Sequence, residues 1–260
     1  MPAEIATKPV VYRIPGMDAA TVRPRVQYRA PLTMDLYYPP EEASKPGPKP
    51  AVAIILGYPD VGVTSPFGCQ FREMEMFICW ARLFAASGIV GILYESSHPA
   101  TDALAVLNYI RENSVELGID PTRLGVWASS GNAPVALSAV AQGNLRCAAL
   151  CYGFTLDLDG ATGVAQAAAQ FYFANPAAGR RVEDLPRETA LFIARAGQDQ
   201  FPGVNPSIDA FVAAALRSNL PLTLVNHPTG PHAFDWMDDS DASRAVIRAI
   251  LEFLKSSLRA

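Results

Sequence analysis

From Ala51 onward the chain alternates short apolar runs with helix-periodic segments, and this alternation limits the available folds more than any other feature. Residues 51–56 form an unbroken apolar run, the pattern of a strand covered on both faces, as parallel sheets require. Between residues 73 and 87, Met74, Phe77, Ile78, Ala81, Phe84 and Ala85 recur at helical spacing, and Gly88 supplies a stop. The same reading predicts strands at 89–94, 123–128, 146–152, 190–196 and 222–226, and helices at 101–117, 131–142, 207–218 and 243–258. The last helix buries a stripe of Ile247, Ile250, Leu251, Leu254 and Leu258. Strand-helix order of this kind implies a mostly parallel sheet with helices on both faces, joined by right-handed crossovers. Ahead of it, 10–14, 25–29 and 32–37 read as antiparallel edge strands. The connection 39–50, with five prolines and a glycine, cannot enter a sheet interior.

A chain of 260 residues organised in this way is expected to form one domain, 1–260. A net charge of −4 gives no basis for a nucleic-acid or anionic-membrane partner, and small neutral or mildly polar substrates fit better. The N-terminal stretch lacks an apolar leader core and no apolar run is long enough to span a bilayer, so a cytoplasmic protein is expected. Cys69, Cys79, Cys147 and Cys151 have no paired spacing for zinc, and they read as buried thiols.

The stretch Leu124-Gly125-Val126-Trp127-Ala128-Ser129-Ser130-Gly131-Asn132 joins a strand to a helix through small residues. A serine at the tip of such a turn has an exposed hydroxyl, and the amide after it lies at a helix N-terminus where N–H groups lack partners. The G-x-S-x-G pattern places small residues two before and two after the serine. Ser130 is then flanked by Ala128 and Asn132, whereas Ser129 would put the indole of Trp127 into the bend, so Ser130 is the candidate nucleophile. The alternative is an ordinary helix cap made by two serines.

Over essentially its whole length the chain resembles the α/β-hydrolase superfamily, in particular esterases and dienelactone-hydrolase-like members. Two segments carry the resemblance. Leu32-Thr33-Met34-Asp35-Leu36-Tyr37-Tyr38-Pro39 is similar to an early strand of such esterases, and Leu117-Gly118-Ile119-Asp120-Pro121-Thr122-Arg123-Leu124-Gly125-Val126-Trp127 to the lead into their nucleophile turn. The resemblance implies a central sheet of about eight strands and the chain order nucleophile, acid, base, which Ser130, Asp199 and His232 satisfy.

Of three histidines, His232 lies in Gly230-Pro231-His232-Ala233-Phe234, similar to the family's G-x-H-x-F segment; His227 and His98 are the rivals. Asp199 directly follows a buried-looking strand; Asp157 and Asp159 follow the preceding one and are alternatives for the acid. The oxyanion donors implied are the amides of Gly131 and Tyr58. Gly57-Tyr58-Pro59 resembles the family's H-G-x-P turn with Leu56 in the histidine's place, and Pro59 has no N–H to give. No phosphate loop, dinucleotide fingerprint or H-E-x-x-H is present, so no cofactor or metal is implied.

Residues 154–189 form a candidate small cap with an Ala-rich helix at 164–170. Phe171, Tyr172 and Phe173 cannot all face one way, so one or two are expected to roof an apolar pocket while another packs inward; the alternative is that all belong to the core. Phe154, Phe201 and Trp236 are the candidate substrate-binding residues. Together these readings point to hydrolysis of a small carboxylic ester or lactone with a short acyl group. An amidase or peptidase on the same machinery, or a non-catalytic binding protein, is the alternative.

Overall fold

The computed structural model describes residues 2–43, 46–59 and 68–259; residues 44 and 45 of the proline-rich connection lie outside it. In chain order the strands are β1 Thr21–Arg29, β2 Leu32–Tyr38, β3 Lys49–Ile54, β4 Val90–Tyr94, β5 Ile119–Ser129, β6 Cys147–Cys151, β7 Ala190–Ala196 and β8 Leu222–His227. The helices are α1 Pro2–Ala6, α2 Glu75–Ala86, α3 Pro99–Glu112, α4 Ser114–Leu117, α5 Ala133–Ala141, α6 Gly163–Phe171, α7 Val204–Arg217, α8 Phe234–Met237 and α9 Asp241–Ser257.

The strands form one sheet in the order β1-β2-β4-β3-β5-β6-β7-β8. β1 pairs antiparallel with β2 and β2 antiparallel with β4, while every later pairing is parallel. The apolar runs explain the order. All five residues of β4 and of β6 are buried, as strands covered by helices on both faces must be. The two edges, β1 and β8, expose much of their length. Helix α9 starts on Ser240, whose hydroxyl accepts from the Ser243 amide at 3.1 Å, and buries Val246, Ile247, Ile250, Leu251 and Leu254. No helix among the described residues is long and apolar enough to cross a membrane.

Several sequence expectations are corrected: the strand expected at 25–29 begins at Thr21, and the connection expected over 39–50 ends earlier, because Lys49 and Pro50 open the interior strand β3. Residues 10–14 are not a strand: Val10 is buried and the Val11 amide donates to the Asp235 carbonyl at 2.9 Å, one docking bond rather than a ladder. The helix expected at 101–117 begins earlier, with Pro99 in its first turn, and breaks at Asn113 into α3 and α4. The Asn113 side chain donates back to the Tyr109 carbonyl at 2.9 Å, competing with continued helical bonding.

Parallel strands that all run one way bring their carboxyl ends to one edge of the sheet, and there the loops after β3, β5, β7 and β8 meet. Tyr58, Ser130, Asp199 and His232 lie on those four loops.

Candidate active site

β5 stays extended through Ser129, at φ −129° and ψ 152°, and the chain then turns sharply. Ser130 adopts φ 53°, a left-handed conformation that costs an L-residue roughly 1–2 kcal/mol. A short 3₁₀ turn over Ser130–Asn132 leads into α5, with Pro134 in its first turn. The side chains around the bend follow the small-flank rule. Ala128 is fully buried, and Trp127 points into the core, its indole 4.8 Å from that of Trp80 and 6.4 Å from the ring of Phe77.

The loops after β7 and β8 are tied by their backbones. The Gly197 amide donates to the His227 carbonyl at 2.8 Å and the Gln198 amide to the Gly230 carbonyl at 2.9 Å. This fixes Asp199 against the ring of His232, with carboxylate Oδ2 2.6 Å from Nδ1. The other ring nitrogen, Nε2, is 2.9 Å from Ser130 Oγ. Asp199 Oδ1 accepts the Phe201 amide at 2.9 Å, so both carboxylate oxygens are engaged, and the side chain is closed off from solvent. A carboxylate on Nδ1 selects the tautomer that carries its proton there, leaving Nε2 free to accept the serine proton. The structure therefore brings Ser130, His232 and Asp199 into one hydrogen-bonded line.

Gly57 sits directly against the nucleophile turn: a Cβ there would overlap the Gly131 carbonyl and approach the Asn132 Cα. Its amide donates to Asn132 Oδ1 at 2.6 Å, and its carbonyl accepts the Ala174 amide at 2.8 Å. The loop carrying Tyr58 is thus fastened to the turn that carries Gly131. Leu56, which stands where the resemblance places a histidine, is buried, and its amide donates to the Tyr94 hydroxyl at 3.1 Å. Asn132 stands where the G-x-S-x-G pattern has a glycine. Its side-chain bond to residue 57 joins segments far apart in the chain, and only its polarity at a small-residue position hinted at that role.

The rival residues lie elsewhere. His98 is exposed at the start of α3, with Nδ1 2.7 Å from the Ser97 carbonyl. His227 is buried, with Nε2 3.0 Å from Ser243 Oγ, and anchors the end of β8 to α9. Asp157 accepts the Val164 and Ala165 amides, each at 2.8 Å, and so stabilises the start of α6. Asp159 is a loop residue with φ 54°.

A cavity of about 360 Å³ opens over Ser130. Its walls are largely aromatic and thioether: Tyr58, Phe71, Met74, Phe77, Phe154, Phe171, Phe201 and Trp236 are among the residues that line it. An outer recess of about 550 Å³ continues it past Phe171, Phe201, Trp236 and Met237. Among the described residues lining either space, none is Lys, Arg, Asp or Glu. The three adjacent aromatics divide as their geometry requires. Phe171 faces the cavity and packs edge-on to Phe201, Tyr172 is exposed, and Phe173 is buried in a stack on Phe154 with centroids 5.0 Å apart.

Beneath His232 lies a buried polar cluster that sequence reading missed. The ring of Tyr152 meets that of His232 edge-on at 4.9 Å, and its hydroxyl donates to Asp235 at 2.6 Å. The second Asp235 oxygen accepts the Trp80 indole N–H at 2.7 Å. Burial raises the Asp235 carboxyl above its ordinary range while these two donors pull it back. Burial, then the Asp235 charge, puts the Tyr152 phenol well above its own. The sole signal in the sequence was an aspartate three residues after the histidine in an otherwise apolar segment.

No protein-family model matches the chain, and no curated protein matches it in sequence. Solved structures do. An α/β hydrolase enzyme from a Medee basin deep-sea metagenome library aligns over 92% of this chain and 98% of its own, at TM-score 0.68 and 17% identity. Carboxyl esterase 2 from the mycorrhizal fungus Tuber melanosporum aligns over 98% of this chain and 92% of its own, at TM-score 0.69 and 17% identity. A thermophilic esterase from the Planctomycetes species Thermogutta terrifontis, solved with propionate bound, aligns over 93% and 96% at TM-score 0.65 and 18% identity. Likeness at this level of identity speaks to architecture rather than substrate: the chain has the α/β-hydrolase fold.

Proposed function

We propose that the chain is a serine hydrolase that cleaves a small neutral carboxylic ester or lactone through an acyl-enzyme intermediate. The observation that carries this reading is the line Ser130 Oγ to His232 Nε2 at 2.9 Å and His232 Nδ1 to Asp199 Oδ2 at 2.6 Å, at the floor of an apolar cavity. In the reading, Ser130 Oγ bonds to the ester carbonyl carbon while its proton passes to His232 Nε2. Charge builds on the carbonyl oxygen, where the amides of Gly131 and Tyr58 donate to it. Collapse of the tetrahedral species expels the alcohol, which takes the proton from His232. Water activated by the same nitrogen then releases the acid. Asp199 holds the imidazole and stabilises its charged form throughout. Every step uses the chain's own groups and water.

The substrate class follows from the walls. A cavity of about 360 Å³ without a lining cation among the described residues favours an uncharged acyl group and disfavours a carboxylate-bearing lactone. Phe154, Phe201 and Trp236 form the substrate-binding side, and the segment 154–189 serves as a small cap that contributes Phe171 to it. Purified protein assayed with p-nitrophenyl butyrate tests the reading: turnover that disappears in Ser130→Ala supports it, and turnover that survives in Ser130→Ala removes it.

A further inference from the structure

The Tyr58 side chain lines the same cavity as Ser130 and His232. In the loop after β3, Pro59 follows Tyr58 and has no N–H to give. The Tyr58 ring lies over the nucleophile turn, and a methyl group at Gly131 would overlap its hydroxyl oxygen and crowd the ring of Phe173. The hydroxyl is thereby set against the residue whose amide follows Ser130. Ring contacts hold it there: Tyr58 stacks on Phe71 with centroids 5.6 Å apart and meets Phe173 edge-on at 6.1 Å.

The hydroxyl itself has no hydrogen-bond partner among the described residues. Other tyrosines nearby are satisfied: Tyr28 donates to the Glu95 carbonyl at 2.6 Å, Tyr94 accepts the Leu56 amide, and Tyr152 donates to Asp235. An oxygen that gains charge beside it, in the cavity that Tyr58 shares with Ser130 and His232, supplies the missing acceptor. Burial pushes the phenol up to about 12, so it keeps its proton and acts as a donor across the working pH range.

We propose that the Tyr58 hydroxyl, beside its backbone amide, donates a hydrogen bond to the oxyanion formed when Ser130 attacks the ester. The proton stays on Tyr58 throughout; only the hydrogen bond forms, as the carbonyl electron pair moves onto oxygen. The proposal rests on the serine-hydrolase reading above and adds a catalytic residue to it.

Tyr58→Phe keeps the ring, both aromatic contacts and the backbone amide, and removes only the donor. With p-nitrophenyl butyrate its kcat is expected to fall about 100-fold while KM changes less than about twofold, the scale seen when one oxyanion donor is lost. The affinity for a trifluoromethyl ketone, which forms a tetrahedral adduct on the serine, is expected to weaken by a similar factor with Tm unchanged. An unchanged or higher kcat, or a fall in kcat matched by a fall in Tm with no loss of ketone affinity, overturns the proposal. The two readings fail separately. Wild-type turnover lost in Ser130→Ala but kept in full in Tyr58→Phe removes only the hydroxyl's role, whereas a wild-type protein that neither hydrolyses esters nor binds the ketone removes both.

Discussion

Asn132 Oδ1 accepts the Gly57 amide at 2.6 Å, so the residue two places after Ser130 holds the loop that precedes Tyr58. The two proposed oxyanion donors lie on separate connections, the loop after β3 and the turn after β5, and this bond ties one to the other. A buried donor left unpaired costs about 1–3 kcal/mol.

Replacing Asn132 with the smaller residue of the usual turn pattern is therefore expected to lower both stability and ester turnover. Asn132→Gly and Asn132→Ala should each lose about 1–3 kcal/mol in urea unfolding and lower kcat about tenfold. Ester kinetics beside denaturation curves check this. A more active Asn132→Gly would mean that the bond is incidental.

The two loop histidines should separate cleanly. His232→Ala is expected to lower kcat by several orders of magnitude, because the serine and its base act as a unit, with little change in Tm. His227→Ala should instead reduce Tm by loosening α9 from the end of β8, since it gives up the contact with Ser243 and leaves a cavity. His98→Ala, at an exposed site, should change neither. Thermal melts and kcat on the three variants decide the matter, and an inactive, fully stable His227→Ala would reassign the base.

Asp199→Asn keeps the shape of the acid but offers the His232 ring the wrong partner, and a fall in kcat on the order of 10⁴ is expected. Asp157→Ala should cost about 1 kcal/mol of stability through the start of α6 and leave kcat within about threefold. The reverse pattern in kcat would move the acid to the loop after β6.

Much of the architecture was legible because buried strands and amphipathic helices write their periods into the chain: β4, β6 and α9 read directly as apolar runs and a stripe. The errors lie where tertiary contacts override local pattern. Residues 10–14 have strand-like composition, yet they dock through Val11 on Asp235 rather than pairing. β1 begins at Thr21, before Pro24, because a bulge between Arg23 and Val26 absorbs the proline; Arg25 takes φ 54° there and its amide donates to Asp35 at 2.7 Å. At the site, the small-flank rule pointed to Ser130 and the family resemblance to Asp199 and His232, and the structure brings these three side chains together. The Asn132–Gly57 bond and the Tyr152–Asp235–Trp80 cluster join distant segments and leave no periodic trace.

Acyl length should be limited by the cavity of about 360 Å³ and its aromatic walls. Across p-nitrophenyl acetate, butyrate, octanoate and palmitate, kcat/KM is expected to peak at the two short esters and to fall at least about tenfold by palmitate. A rate that rises to palmitate, or efficient peptide cleavage without ester turnover, contradicts a small ester pocket.

In the proposed function Ser130, activated by His232, is the nucleophile. Reaction with a fluorophosphonate followed by intact-mass measurement and peptide mapping tests it most directly. The expected result is a single adduct on Ser130, lost in Ser130→Ala, greatly slowed in His232→Ala and retained in Ser129→Ala. An adduct on Ser129, or a folded wild-type protein that takes no label, would contradict the account.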